Sequence, residues 1–340
     1  MNQQELESVA RILVTQGKGI LAADESFGTI RKRFDAIGVE STEETRRAYR
    51  EMLFTAKGME DFISGVILFD ETLRQASSND VPFPRLLSDK GVLPGIKVDT
   101  GAKPLAGFPG EKVTEGLDGL RNRLEEYREL GARFAKWRAV IAIGDAVPSR
   151  ACMEVNAHAL ARYAALCQEA GLVPVVEPES LMDGAHSLQR CEDVTTEVLR
   201  TVFKHLAEQG VLAEGMLLKP NMAISGKDCA DQAVAQEVAA ATVRCFRRTV
   251  PAAVPGIVFL SGGQSPRQAT ENLNAMNVMG PQPWQLSFSY GRALQDPALK
   301  TWKGEEANRA KAQEAFLHRA RCNGAARQGS YTLRMEKEDG

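Results

Sequence analysis

The chain has 340 residues, 44% of them hydrophobic and 25% charged, and a formal net charge of -2. This is the balance of an ordinary soluble globular protein, without the basic excess that a nucleic-acid-binding surface requires. Its start, MNQQELESVARILVTQGKG, has an early acidic residue and no long apolar run, so it resembles neither a secretory signal nor a transit peptide, and no stretch is long enough to span a membrane.

Short apolar runs recur along the chain, at 19–24 (GILAAD), 65–70 (GVILFD), 94–99 (PGIKVD), 134–144, 172–179, 215–220, 256–263 and 284–291. Most are continuous rather than alternating, the pattern of parallel strands covered on both faces. Helical segments fall between them. Two are expected within 28–58. Leu117, Leu120, Leu124, Tyr127 and Leu130 recur at helical spacing before Gly131, and Met153, Ala157, Leu160, Ala164 and Cys167 do so between Pro148 and Gly171. Amphipathic segments follow at about 192–209, 232–248, 266–277 and 304–322. Strand and helix alternate with no linker or low-complexity tract. This predicts one (β/α)8 TIM barrel over 1–327 with extra N-terminal helices, an open doubly wound sheet being the alternative. Residues 328–340, QGSYTLRMEKEDG, are polar and unpatterned. They are expected to form a flexible tail that adds little to stability.

Nearly every predicted strand ends in a polar residue: Asp24, Asp70, Lys97 with Asp99, Lys136 with Arg138, Glu177 with Glu179, Lys219, Ser261, and Ser289 with Arg292. In a parallel barrel the strand C-termini form the functional face, and i,i+2 spacing puts Lys136 and Arg138 on one side of their strand, as it does Glu177 and Glu179. The run AEGMLLKPNM at 213–222 ends a buried stretch in Lys219 followed by proline. A buried ammonium must pair, reach water or lose its proton. An ordinary lysine is almost wholly protonated at pH 7, but burial and nearby cations such as Lys136 and Arg138 favour the neutral amine, which condenses with a ketone to an iminium. An iminium stabilises a neighbouring carbanion, so the chemistry requires no metal and no cofactor. Neither is expected, because the six cysteines and four histidines are scattered, as in a protein of the reducing cytoplasm. Glu177 is the expected proton carrier, with Glu179 nearby raising its pKa.

Phosphate binding has its own pattern. LSGGQS at 260–265 places glycines and serines at a strand-to-helix turn, where backbone N–H groups meet an anion, and SYGR at 289–292 adds the fork of Arg292. A second anion site is expected around ADESFGTIRKR at 23–33, where Ser26 and Thr29 lie near a helix start, Lys32 and Arg33 lie in its first turns and Lys97 can join them, although a solvated basic face explains the same run.

Taken in order, GKGILAADES, GVILFDETL, GIKVD, FAKWR, VPVVEPE, LLKPNM, FLSGGQS and FSYGRAL resemble the class I fructose-1,6-bisphosphate aldolases over nearly the whole chain. The resemblance implies a (β/α)8 barrel, usually a homotetramer, that cleaves a sugar bisphosphate through a lysine Schiff base without a metal. Residue by residue it makes Lys219 the Schiff-base lysine and Glu177 the main proton-transfer group, and it places Asp24, Lys136 and Glu179 around the reacting carbons with Arg138 and Lys97 lining the pocket. Ser261, Gly262, Gly263, Ser289 and Arg292 match one phosphate site, while Ser26, Lys32, Arg33, Lys97 and Arg46 match positions linked to the other. Thr29 and Thr100 depart from the serine and lysine of many relatives, and the chain lacks the terminal tyrosine of the animal forms. Aldolases favouring fructose 1-phosphate or seven-carbon bisphosphates, and a catalytically silent scaffold, are the competing readings.

Overall fold

The computed structural model describes residues 2–337. Ten strands are described: β1 (Gly19–Ala23), β2 (Ile63–Leu68), β3 (Leu93–Lys97), β4 (Gly101–Pro104), β5 (Lys112–Glu115), β6 (Phe134–Ile141), β7 (Val173–Ser180), β8 (Leu217–Leu218), β9 (Gly256–Phe259) and β10 (Gln285–Tyr290). Eight of them close a parallel barrel in the order β1-β2-β3-β6-β7-β8-β9-β10, and β4 and β5 form a separate antiparallel hairpin. The eight apolar runs read from the sequence are the eight barrel strands. The helices expected between them are present, including Phe27–Asp35 and Glu43–Phe54 before β2.

The barrel interior is layered. Ile20, Ala22, Ile67, Phe134, Val173, Val175, Leu217 and Val258 form one buried apolar cluster inside the ring. Space for the Phe134 ring comes from small neighbours: a Cβ on Gly95 would lie 2.3 Å from it. The helix Gln3–Leu13, which the sequence reading did not anticipate, contributes Leu6, Ala10 and Leu13 to the same cluster and so plugs the barrel floor. Polar side chains on the inward positions therefore begin only above this apolar plug.

Two features differ from expectation. β8 is reduced to two residues because Pro220 has no N–H to continue the ladder. Asn221 compensates: its Oδ1 accepts the Ser180 N–H at 2.9 Å, and its Nδ2 donates to Thr195 Oγ1 at 3.1 Å and to the Met222 carbonyl at 3.0 Å. Part of the expected tail is also packed against the barrel. Tyr331 is 7% exposed and donates to Glu336 at 2.6 Å, and Glu336 pairs with the buried Arg319 of the last helix, Arg309–Arg327. One aromatic ring and one ion pair thus hold this segment against the barrel. Residues 338–340, the rest of the predicted tail, lie outside the described residues.

Arg327, at the end of that last helix, fastens the plug. It is 5% exposed and donates to the carbonyls of Val14 and Lys18, to Ser287 Oγ at 3.1 Å and to Gln285 Oε1 at 3.2 Å. Burial lowers its guanidinium to about 10. One side chain therefore joins the end of the plug helix to the starts of β1 and β10. Replacing Arg327 with Met should reduce the unfolding free energy measured in urea by about 3 kcal/mol, the scale of one or two hydrogen bonds from a charged donor. A loss below about 0.5 kcal/mol, within the range of ordinary surface substitutions, would mean that apolar contacts alone hold the plug.

Candidate active site

Directly above the apolar plug, the half-buried Asp24 and the buried Lys136, Glu177 and Lys219 form a line of alternating charge. Asp24, just beyond β1, places Oδ2 2.7 Å from Lys136 Nζ on β6. Lys136 Nζ is 3.2 Å from Glu177 Oε2 on β7, and Glu177 Oε1 is 3.2 Å from Lys219 Nζ beyond β8. Two cations and two anions neutralise one another, which makes it tolerable to desolvate all four. Strand alternation explains the line: Phe134 and Val175 supply the apolar layer, and the next inward positions, Lys136 and Glu177, supply the charged one.

These contacts set the proton affinities. Burial alone would raise Asp24, but the ammonium groups of Lys136, Lys219 and Lys97 outweigh it and bring the carboxyl to about 2. Burial would likewise raise Glu177, yet Lys136, Lys219 and Arg138 hold it below the ordinary carboxylate range. This corrects the expectation that Glu179 raises it, because the Glu179 carboxylate is engaged by Arg138 on the neighbouring strand. Burial opposes the charge on Lys136 too, but Asp24 and Glu177 raise its pKa overall. The expectation that cations surround Lys219 is also incomplete, since the Glu177 carboxylate lies 3.2 Å from its ammonium nitrogen.

The line forms the base of a cavity of about 1410 Å³ at the C-terminal end of the barrel. Ten Lys and Arg residues line it against eight Asp and Glu, so the mouth is positive although the chain as a whole is negative. Such a field draws anions inward. On one side lie Ser261, Gly262, Gly263, Ser289 and Arg292. Gly262 and Gly263 have φ of 54° and 89°, left-handed values that suit glycine, and a Cβ on Gly263 would sit 3.0 Å from an Arg292 nitrogen. Ser289 Oγ is buried there with no hydrogen-bond partner among the described residues. Ser26, Lys32, Arg33 and Lys97 line the same cavity, with Ser26 and Thr29 hydroxyls 3.2 Å apart and Lys97 paired with Asp99 at 2.7 Å. Lys32 and Arg33 stand in the last turn of the helix Phe27–Asp35 rather than in its first turns as expected, and Arg33 lies close to Gly291.

Of the residues expected at the site, all but Arg46 line this cavity. Arg46 is held in a two-pronged pair with Glu71 at 2.5 and 2.8 Å, its guanidinium stacked over Phe27. The sequence reading missed Asn221, which braces the backbone after Lys219, although its place beside Pro220 was a usable signal.

A family model described as glycolytic, fructose-bisphosphate aldolase class-I, matches residues 5–340. The chain belongs to the class I fructose-bisphosphate aldolase family. It is 59% identical over 332 residues to a probable fructose-bisphosphate aldolase class 1 of Xanthomonas campestris, covering 97% of this chain and 99% of the relative. It is 58% identical to a cytosolic fructose-bisphosphate aldolase of Arabidopsis thaliana, covering 96% and 91% of the two chains. A solved structure of the Plasmodium falciparum aldolase, in ternary complex with TRAP and a small-molecule inhibitor, aligns with a TM-score of 0.96 at 53% identity, over 97% of this chain and 95% of that one. Members of this aldolase family are lyases. Among the described residues no helix is long and apolar enough to cross a membrane.

In this aldolase fold the Asp24 pairing makes stability depend on pH. An unfolded aspartate titrates near 3.9, whereas folded Asp24 titrates at about 2. Its stabilising contribution is therefore complete above about pH 4 and is lost as pH falls towards 2. Urea unfolding at a series of pH values should show Asp24→Asn losing about 2 kcal/mol less than wild type between pH 4 and 2. Equal losses would mean that the pair with Lys136 does not hold the carboxyl ionised.

Proposed function

We propose that the chain reversibly cleaves fructose 1,6-bisphosphate to dihydroxyacetone phosphate and glyceraldehyde 3-phosphate through an iminium on Lys219, as a cytoplasmic enzyme of glycolysis and gluconeogenesis that assembles as a homotetramer. The family membership supports the substrate. The observation that carries the mechanism is the Glu177 carboxylate, with one oxygen 3.2 Å from Lys219 and the other 3.2 Å from Lys136.

Glu177 takes a proton from Lys219, freeing its lone pair to attack the C2 carbonyl of the open-chain sugar, and a proton then passes from the attacking nitrogen to the alkoxide to give the carbinolamine. Glu177 then returns the proton to the carbinolamine hydroxyl, which leaves as water and yields the iminium. As the C3–C4 bond breaks, its electrons pass to the iminium and the C4 hydroxyl loses its proton to Glu177, again a carboxylate. Asp24, kept anionic by its lysine neighbours, accepts the hydrogen bond of that hydroxyl and orients it. Lys136 balances the two carboxylates. Glyceraldehyde 3-phosphate departs, the proton held by Glu177 passes to C3 of the enamine, and water adds to the resulting iminium and releases the ketone. Arg138 and Glu179 lie paired at the rim. The groups around Arg292, together with Ser26, Lys32, Arg33 and Lys97, anchor the two phosphates, and such orientation contributes several kcal/mol to lowering the barrier.

Borohydride reduction in the presence of dihydroxyacetone phosphate should inactivate the enzyme and leave a stable adduct on Lys219, located by peptide mass mapping. EDTA should leave turnover unchanged. An adduct on Lys136, or loss of activity in EDTA restored by zinc, would contradict the assignment. Arg292→Ala should weaken bisphosphate binding by about 1.5–3 kcal/mol, the range for a hydrogen bond to a charged group. If KM and kcat for the bisphosphate, and the preference over fructose 1-phosphate, all stay at wild-type values, Arg292 holds no phosphate.

A further inference from the structure

Beside the lysine–carboxylate line lies a second charged network, of which the reaction described above uses only Arg33. Glu25 accepts Arg33 Nη1 at 2.5 Å and Gln295 Nε2 at 2.8 Å on Oε1, and its Oε2 is 3.5 Å from Arg50 Nη2. Arg50, 1% exposed on the helix Glu43–Phe54, donates Nε to the Ala23 carbonyl at 3.3 Å and Nη2 to the Glu25 carbonyl at 3.1 Å. Gln295, fully buried on the helix Arg292–Trp302, donates to the Ala22 carbonyl at 2.6 Å and accepts Tyr49 OH at 3.1 Å.

The targets of these donors are specific. β1 ends at Ala23, so the peptides around Asp24 are leaving the ladder and their carbonyls need other partners. The carbonyls of Ala22 and Ala23 before Asp24, and of Glu25 after it, each receive a bond from Gln295 or Arg50. Burying a guanidinium is unfavourable, and an apolar residue fills core space at lower cost. A charged side chain kept here therefore points to what it holds. Gln295 also lies three residues from Arg292 on the same helix, so one amide joins the arginine side of the mouth to the strand end that carries Asp24.

We propose that Arg50 and Gln295 are positioning residues for carbon–carbon cleavage. They fix the peptides on both sides of Asp24, so that its carboxylate meets the C4 hydroxyl, and they tie that geometry to the helix carrying Arg292. The proposal rests on the assignment of Asp24 to the cleavage step. It separates two halves of the reaction, because iminium formation with dihydroxyacetone phosphate uses Lys219 and Glu177 and has no C4 hydroxyl to orient.

The test compares Asp24→Asn, Arg50→Lys, Gln295→Leu and the Asp24→Asn/Gln295→Leu double variant, each checked for wild-type circular dichroism. Two rates are measured: single-turnover cleavage of fructose 1,6-bisphosphate and borohydride trapping of dihydroxyacetone phosphate. Gln295→Leu should slow cleavage by about tenfold or more while leaving trapping and KM within about threefold of wild type. Arg50→Lys should do the same if it folds, and the double variant should be no slower than Asp24→Asn alone, since both changes act through one carboxylate. Slow cleavage in Asp24→Asn with wild-type cleavage in Gln295→Leu, or equal slowing of cleavage and trapping in Gln295→Leu, would overturn the positioning role. Wild-type cleavage in Asp24→Asn would instead overturn the assignment of Asp24, and the proposal with it.

Discussion

Glu177 lies between two buried ammonium groups, and the arrangement of the barrel mouth follows from that contact. A carboxylate at this depth is tolerable only because Lys136 and Lys219 each lie 3.2 Å from one of its oxygens. Without Asp24 at 2.7 Å, Lys136 and Lys219 would share the single carboxylate of Glu177. The four groups stabilise one another as a set, and removing any one leaves the set with a net charge. The same contact gives the line its reactivity, because an oxygen that holds the Lys219 ammonium is already placed to take its proton.

The scaffold makes that geometry stiff. Inward apolar side chains and the plug helix fill the barrel beneath the charges, so the line rests on a packed floor. Each reacting group stands on or just beyond a different strand. Lys219 follows the shortest of these, and its backbone is held by its N–H bond to the Val176 carbonyl at 2.8 Å and by the Asn221 bridge to Ser180. The lysine followed at once by proline is thus explained in two parts: the proline ends the ladder, and the asparagine after it restores the cross-strand bond one step later.

Much of this was legible in the sequence because buried parallel strands write themselves as continuous apolar runs, and because the reacting residues sit at the ends of those runs. What escaped notice had weaker local signals. The plug helix carries Leu6, Ala10 and Leu13 at helical spacing, but its buried face becomes meaningful only with a barrel to close. The hairpin of β4 and β5 is largely exposed and rich in turn residues. The sense of the shift on Glu177 was misjudged because strand spacing puts Glu179 on the same face but says nothing of Arg138 across the sheet, which engages it. The network of Arg50 and Gln295 joins residues 27 and 273 positions apart, and no local pattern announces such pairs.

The central claim is that Glu177 carries protons for Lys219 rather than merely balancing its charge. Stopped-flow measurement of iminium formation between dihydroxyacetone phosphate and a Glu177→Gln variant tests it directly, because the amide keeps the shape and a hydrogen-bonding oxygen but cannot shuttle a proton. The account predicts that the iminium forms at least about a hundredfold more slowly, a barrier increase of about 2.7 kcal/mol, while a non-reacting hexitol bisphosphate binds within about threefold of wild type. Iminium formation at the wild-type rate with unchanged binding would contradict it.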